Sequence, residues 1–281
     1  MPNFLVIGAA KAGTTSLYHY LNQHPQIYMS PRKETYFFMS SNNEIENYKA
    51  LFKEANGEIA IGEATPFYLY NKKSPELIKN CLPQVKLIIV LRDPVDRAYS
   101  HFLYWRSQGQ EPIVDFAKAI REEPIRIRDG YGTNYHYINQ GFYAPQLQRY
   151  LNLFDSSNIK INLYSDLVKN PSHFVKEIYI VKEIYNFLDV DDSFAAPTNQ
   201  VKKTAVPRNK VIDKILKTSN PVKEISKTLL SDKFRKLIAN KLLLSKPNIS
   251  YKLRQELIEI YREDILKTQR LVQRDLSSWL Q

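Results

Sequence analysis

The sequence predicts an α/β fold: three αβα layers with a central parallel sheet, and a helical segment at the carboxy terminus. Two observations carry this expectation. Short apolar runs of strand length recur between longer stretches with helical periodicity. After about residue 205 the pattern turns helical and basic, with no Gly/Ser-rich linker ahead of it. Alternation of this kind buries both faces of a parallel sheet under crossover helices. One domain is therefore expected over residues 1–281, with an α/β core over 1–205 and helices over 206–281 packed on it.

The strand candidates, in order, are "FLVIGA" at 4–9, "QIYMS" at 26–30, "EIAIGEA" at 58–64, "KLIIVL" at 86–91 and "KINLYS" at 160–165. Ligands of such sheets bind beyond the carboxyl ends of the strands, so the residues that follow each run carry the functional reading. The basic helical patterns after residue 205 are "NKVIDKILKTS", "PVKEISKTLL", "DKFRKLIANKLLL" and "SYKLRQELIEIYREDILKTQRLVQRDLSSWL". A short repeat, "VKEIYI" at 175–180 and "VKEIYN" at 181–186, has too few copies for a solenoid and reads as a local duplication lengthening one helix.

Hydrophobic residues make up 43% and charged residues 25% of the 281, an ordinary globular composition. Forty Lys and Arg against 29 Asp and Glu give a formal charge of +11, which favours anionic ligands or substrates. The single cysteine, Cys81, excludes an internal disulfide framework and a thiolate metal site, and points to a reducing compartment. With the first strand candidate opening at Phe4, and taking Met1 as the natural start, no signal segment is expected ahead of it, and no run approaches the roughly 18 apolar residues of a membrane span. A cytoplasmic protein is expected. His19, His24, His101, His136 and His173 form no metal-ligand pattern, and no metal is expected; His19 and His24, five apart, do not share a helix face.

Three stretches carry chemistry. "GAAKAGTTSL", residues 8–17, has the glycine spacing of a phosphate loop, but Thr14 stands where a nucleotide-hydrolysing loop places its lysine, and Lys11 lies inside the turn. A strand, a glycine-bounded turn and a helix starting near Thr14 present backbone N–H groups and the positive helix end to an anion; Thr14 or Thr15 is alternatively an N-cap. In "KLIIVLRDPVDRAYSHF", Arg92 closes a strand, Asp93 suits an N-cap, Pro94 the first helical position, and Asp96 can complete the capping. Arg92 and Ser100 are then placed to meet one anion. "SPRKETYFF", residues 30–38, follows the second strand with a Lys-Glu pair before an aromatic turn.

Two anion sites at different strand ends suit a ligand with two separated charged groups. Together these stretches resemble the sulfotransferases that use 3′-phosphoadenosine 5′-phosphosulfate (PAPS), of the heparan sulfate and bacterial type, whose fold is P-loop-like. The resemblance runs through most of residues 3–210 and implies the following roles. Lys11, Ala12, Gly13, Thr14, Thr15 and Ser16 surround the 5′ end of the donor, with Lys11 offsetting charge on the leaving oxygen. Arg92 and Ser100 hold the 3′-phosphate, joined by Lys202, Lys203 or Arg208 from "TNQVKKTAVPR", while Gly141, Phe142 and Tyr143 close over the nucleotide. "PRKETYFF" is similar to the family's "KExxFF" signature, which makes Glu34 the base, with Lys33 beside it. "IGEATPFYLY" resembles the Gly-Glu-x-(Ser/Thr)-Pro-x-Tyr element at the acceptor cleft and supplies Glu63, Thr65 and Tyr68 as substrate-contacting or supporting residues. His101 is a further candidate at the acceptor or an alternative base.

Two departures stand out: Ala64 replaces a lysine found in many glycosaminoglycan enzymes, and Tyr36 replaces the histidine of "KExHFF". The acceptor therefore stays open between a small molecule, a carbohydrate and a lipid-like alcohol, attacked through oxygen or nitrogen. Two rival readings remain: a P-loop kinase acting on a small molecule, and a polyanion-binding module built on the positive charge. Nucleic acid is not the expected partner.

Overall fold

The computed structural model describes residues 1–168, 181–194, 206–207, 243–244 and 249–281. By their contacts the residues divide into two compact units. The first comprises Met1–Arg97, Ile138–Gln200 and Leu257–Gln281, and the second Ala98–Tyr137 and Val201–Glu256.

The first unit is built on a five-stranded sheet. Its strands are β1 (Phe4–Gly8), β2 (Ile27–Met29), β3 (Ala60–Ala64), β4 (Lys86–Leu91) and β5 (Ile159–Leu163). They lie in the order β2-β3-β1-β4-β5, and every neighbouring pair is parallel. All five apolar runs of the sequence thus become strands of one parallel sheet. All five residues of β1 are buried, as are five of the six in β4, which is the pattern of strands covered on both faces. The connection reverses direction at β1: the chain builds β2 and β3 on one side, then β4 and β5 on the other. Such a reversal opens a crevice at the carboxyl ends of β1 and β4.

Helix α1 (Thr14–Leu21) follows β1 and buries Thr14, Leu17, Tyr18 and Leu21, the i, i+3, i+4, i+7 stripe of an amphipathic helix. Two more helices, α2 (Ile45–Lys49) and α3 (Ser74–Cys81), flank β3, and α4 (Pro94–Ser107) follows β4. The backbone at Gly8 passes so close to the segment after β3 that an added Cβ would lie 2.6 Å from Leu69 Cβ and 3.2 Å from the Pro66 carbonyl. Only glycine allows that approach, and the Leu69 N–H completes it by donating to the Ile7 carbonyl at 2.8 Å.

The second unit holds α5 (Phe116–Arg128), capped by the Asp115 carboxylate on the Lys118 N–H at 2.7 Å. The Glu111 carboxylate is buried there, receiving Arg126 and the Tyr137 hydroxyl. Val206–Pro207 and Leu243–Leu244 pair as two short antiparallel strands, β6 and β7.

Back in the first unit, α6 (Tyr143–Leu151) and the short α7 (Tyr164–Val168) complete the surroundings of the sheet. The carboxy-terminal helix α8 (Tyr251–Val272) belongs to this unit from Leu257 onward. Its Asp264 accepts the N–H groups of Tyr143 at 2.7 Å and Ala144 at 3.1 Å, capping α6 from a distant part of the chain. The second copy of the repeat is helical over 181–187 and buries Val181, Ile184 and Tyr185; the first copy lies outside the described residues. Among the described residues no helix is long and apolar enough to cross a membrane.

Candidate active site

Four segments leave the carboxyl edge of the sheet side by side, and they carry most of the residues singled out above. The turn after β1 is buried at Ala9, Ala10 and Ala12, which contribute backbone rather than side chains. Its shape depends on two left-handed residues, Lys11 at φ 71° and Gly13 at φ 92°. Gly13, not Thr14 or Thr15, is the N-cap of α1, and having no side chain it makes no capping bond. The first-turn N–H groups therefore open toward the strand ends, where an anion is favoured by both hydrogen bonding and the helix dipole. Thr14 is buried, Ser16 half-buried and Thr15 exposed along that turn.

Arg92 follows β4 and is locked from three directions. Its Nη1 donates to the Lys11 carbonyl at 3.1 Å, its guanidinium lies 4.7 Å from the centre of the Tyr164 ring, and its backbone carbonyl accepts the Tyr143 hydroxyl at 2.9 Å. Asp96 approaches only to 3.9 Å. The Arg92 Nε is buried and has no hydrogen-bond partner. A buried guanidinium N–H without an acceptor is costly, and a bound anion is a natural acceptor for it. The expected capping is present: the Asp93 carboxylate accepts the Val95 N–H at 2.8 Å and the Asp96 N–H at 3.1 Å, with Pro94 opening α4.

The segment after β2 places Glu34 with φ 62° and Tyr36 with φ 56°, two left-handed residues around Thr35. The Glu34 N–H donates to the Ala64 carbonyl at 3.0 Å, which hangs the loop on the end of β3. The Glu34 carboxylate is about a third exposed and engaged at both oxygens, with Lys33 Nζ at 2.5 Å from Oε1 and the Tyr36 hydroxyl at 2.5 Å from Oε2. Tyr36 itself is 39% exposed, its ring 6.0 Å from that of Phe67.

Glu63, Thr65 and Tyr68, expected at the acceptor or in support of it, are fully buried. Direct contact with an acceptor is corrected by this burial; they brace the loop instead. The Glu63 carboxylate accepts Thr35 at 3.0 Å, Tyr68 at 2.7 Å, Thr65 at 2.6 Å and Tyr48 at 3.2 Å. Thr35 also lies 2.9 Å from the Tyr68 hydroxyl, so the residue between the two left-handed positions is pinned from below. Burial pushes the Glu63 pKa above the ordinary glutamate range, against the opposing pull of those four donors. A raised folded-state pKa means that this carboxyl favours folding at low pH, and that the contribution is lost as pH rises through the folded value. Glu63→Gln is therefore expected to flatten the stability–pH curve above the ordinary glutamate range in urea titrations. Because the amide NH2 that replaces one carboxylate oxygen cannot accept, the variant should also lose about 1–3 kcal/mol through stranded hydroxyls.

Three other expectations are corrected. Tyr143 is fully buried and spends its hydroxyl on the Arg92 carbonyl, so it positions Arg92 rather than closing over a ligand; burial raises its phenol pKa. His101 lies in the second unit, 1% exposed, accepting the Trp105 indole N–H at 3.1 Å and edge-on to Tyr137. A histidine packed in that way is not presented to a substrate or placed as a base. Gly141 is buried beneath Tyr261, whose hydroxyl would lie 2.5 Å from an added Cβ. Ser100 is half-buried on α4 and also belongs to the second unit. Lys202, Lys203 and Arg208 lie outside the described residues.

Several structural neighbours of these segments escaped the sequence reading. Tyr164 stacks on Arg92. Arg97 is fully buried, 3.5 Å from Gln140. On α6, Arg149 donates to the Leu69 and Tyr70 carbonyls, both at 3.1 Å, and Tyr150 to that of Tyr68 at 2.8 Å, which fixes the segment against which Gly8 packs. Among the described residues no cluster of His, Cys, Asp or Glu could hold a metal ion.

The fold is shared with known sulfotransferases. The sulfotransferase domain model matches residues 1–269. The chain is 41% identical over 132 residues to the membrane-associated sulfotransferase kil1 of Dictyostelium discoideum, covering 44% of this chain and 28% of that protein. It is 30% identical over 189 residues to the mouse bifunctional heparan sulfate N-deacetylase/N-sulfotransferase 4, covering 63% of this chain and 22% of the relative. The chain thus spans between about a fifth and a third of these curated relatives. A crystal structure of a sulfotransferase from Alicyclobacillus acidocaldarius superposes with TM-score 0.77 at 27% identity, covering 100% of this chain and 99% of that one. With a fold, a strand-end loop and a family model in agreement over nearly its whole length, the chain belongs to the sulfotransferase domain family.

Proposed function

We propose that the protein transfers the sulfonate group of PAPS to a hydroxyl or amine of an acceptor, with Glu34 as general base. The observation that carries this reading is Arg92: a guanidinium fixed to the Lys11 carbonyl, with its buried Nε lacking an acceptor, beside a helix start that favours anions. Those groups fit a ligand charged at two places. When bound, the donor supplies a sulfur–oxygen bond whose cleavage releases 3′-phosphoadenosine 5′-phosphate (PAP).

Lys11 and the N–H groups from Gly13 to Ser16 hold the 5′ end, and Lys11 offsets negative charge on the leaving oxygen. Arg92 holds the 3′-phosphate, joined by Ser100 and by Lys202, Lys203 or Arg208. Glu34 accepts the acceptor's proton, and the Glu63 network with Tyr68, Thr65 and Thr35 keeps its loop in place. Lys33 orients one carboxylate oxygen. Relatives named for heparan sulfate favour a carbohydrate acceptor, while Tyr36 and Ala64 distinguish this chain from many enzymes that use sulfated polysaccharides. The reaction is proposed to run without metal, in the cytoplasm.

Labelled PAPS offered with a panel of sugars, amines and lipid-like alcohols, with and without a chelator, tests the reading. Label should reach an acceptor equally in both conditions. Transfer from ATP that stops on chelation would favour the kinase instead, and binding that weakens steeply with salt without transfer would favour the polyanion-binding module.

A further inference from the structure

The Tyr36 hydroxyl donates to the carboxylate oxygen that would receive an acceptor's proton with Glu34 as base. A general base takes a proton through a hydrogen bond of about 2.6–3.2 Å from the attacking group, and Glu34 Oε2 already receives the Tyr36 O–H, at 2.5 Å. The other oxygen is held by Lys33, so the carboxylate has both oxygens occupied before any acceptor arrives. Tyr36 is more than a third exposed, so its ring can leave without breaking the core. Its backbone, by contrast, is fixed in the left-handed region by the neighbouring Thr35–Glu63–Tyr68 network.

Resting on Glu34 as base, we propose that Tyr36 is a positioning residue that caps the base until an acceptor displaces it, and so suppresses transfer to water. The suppressed reaction is simple hydrolysis. A water oxygen bonds to sulfur, the sulfur–oxygen bond to the 5′-phosphate breaks, and Glu34 takes a water proton; PAP and sulfate are released. With Oε2 covered by a phenol, water has no base to lean on. A sugar or alcohol that brings binding contacts of its own can exchange its hydroxyl for the phenol, whereas a lone water gains too little to do so.

The test uses the full chain and PAPS without acceptor. Tyr36→Phe is expected to raise PAP release about ten-fold, a part of the usual general-base contribution. Tyr36→His, which returns a donor to the site, should bring it back down, and Glu34→Gln/Tyr36→Phe should abolish the gain. A second readout needs no ligand: the ζ-carbon resonance of Tyr36 in ¹³C-tyrosine-labelled protein, assigned by its loss in Tyr36→Phe, should move in Glu34→Gln. A structural role alone predicts slower reactions, never a faster uncoupled one. Unchanged or reduced hydrolysis in Tyr36→Phe, or an unmoved resonance in Glu34→Gln, would overturn the proposal. If Glu34→Gln retains full transfer, the reading of Glu34 fails instead, and the two failures are separable.

Discussion

Glu34→Gln is expected to lower turnover by about 10²- to 10⁴-fold, the usual contribution of a positioned general base, while PAP still binds. The substitution keeps size and shape but removes the basic oxygen. Its backbone should not move, because the loop is held by main-chain and neighbouring contacts: the residue 34 N–H on the Ala64 carbonyl and Thr35 on Glu63. Tyr36 can still donate to the amide oxygen, and Lys33 loses only a partly exposed partner. A partly exposed ion pair between adjacent residues contributes modestly to stability, so a folding defect is not expected. Single-turnover transfer of labelled sulfonate, set beside calorimetry with PAP, measures both halves of the statement. Full transfer in this variant would remove Glu34 from the mechanism. Loss of PAP affinity together with turnover would make the residue part of the donor site instead.

The elements legible in the sequence are those written in local pattern. Five apolar runs become five parallel strands; in β1 and β4, inside the sheet, burial on both faces makes the run nearly continuous and needs no distant partner to announce it. Asp93 and Pro94 were readable for the same reason, since a cap is satisfied within three residues. The phosphate-type turn was readable in its glycines, although the cap proved to be Gly13. What the sequence hid depends on contacts across long separations. Asp264 reaches α6 from more than a hundred residues away, and its one local trace is a carboxylate on the apolar stripe Leu257, Ile258, Tyr261 and Ile265. Tyr143 looked like a ligand contact because its motif adjoins the site, yet its hydroxyl closes on the Arg92 carbonyl. Glu63 looked equally available from its motif; four hydroxyls converging from separate segments turn it into a buried brace.

Arg92→Ala should weaken PAP binding by about 10- to 150-fold, the equivalent of one charge-assisted hydrogen-bonding group at roughly 1.5–3 kcal/mol. The loss should fall on one end of the ligand. Adenosine 5′-monophosphate, which lacks the 3′-phosphate, should bind Arg92→Ala nearly as it binds the parent, whereas Lys11→Ala should weaken both nucleotides. Removing the guanidinium also frees the Lys11 carbonyl and uncovers Tyr164, so a local rearrangement could imitate lost recognition. Arg92→Lys separates the two causes: lysine keeps the charge but not the planar fork. If charge alone holds the phosphate, most of the affinity returns; if the buried Nε is the contact that matters, the lysine variant stays weak. Equal losses for both nucleotides in Arg92→Ala would mean that Arg92 shapes the β1 turn rather than gripping a second anion. Unchanged calorimetry in both Lys11→Ala and Arg92→Ala would leave the doubly charged donor without a site on this edge of the sheet.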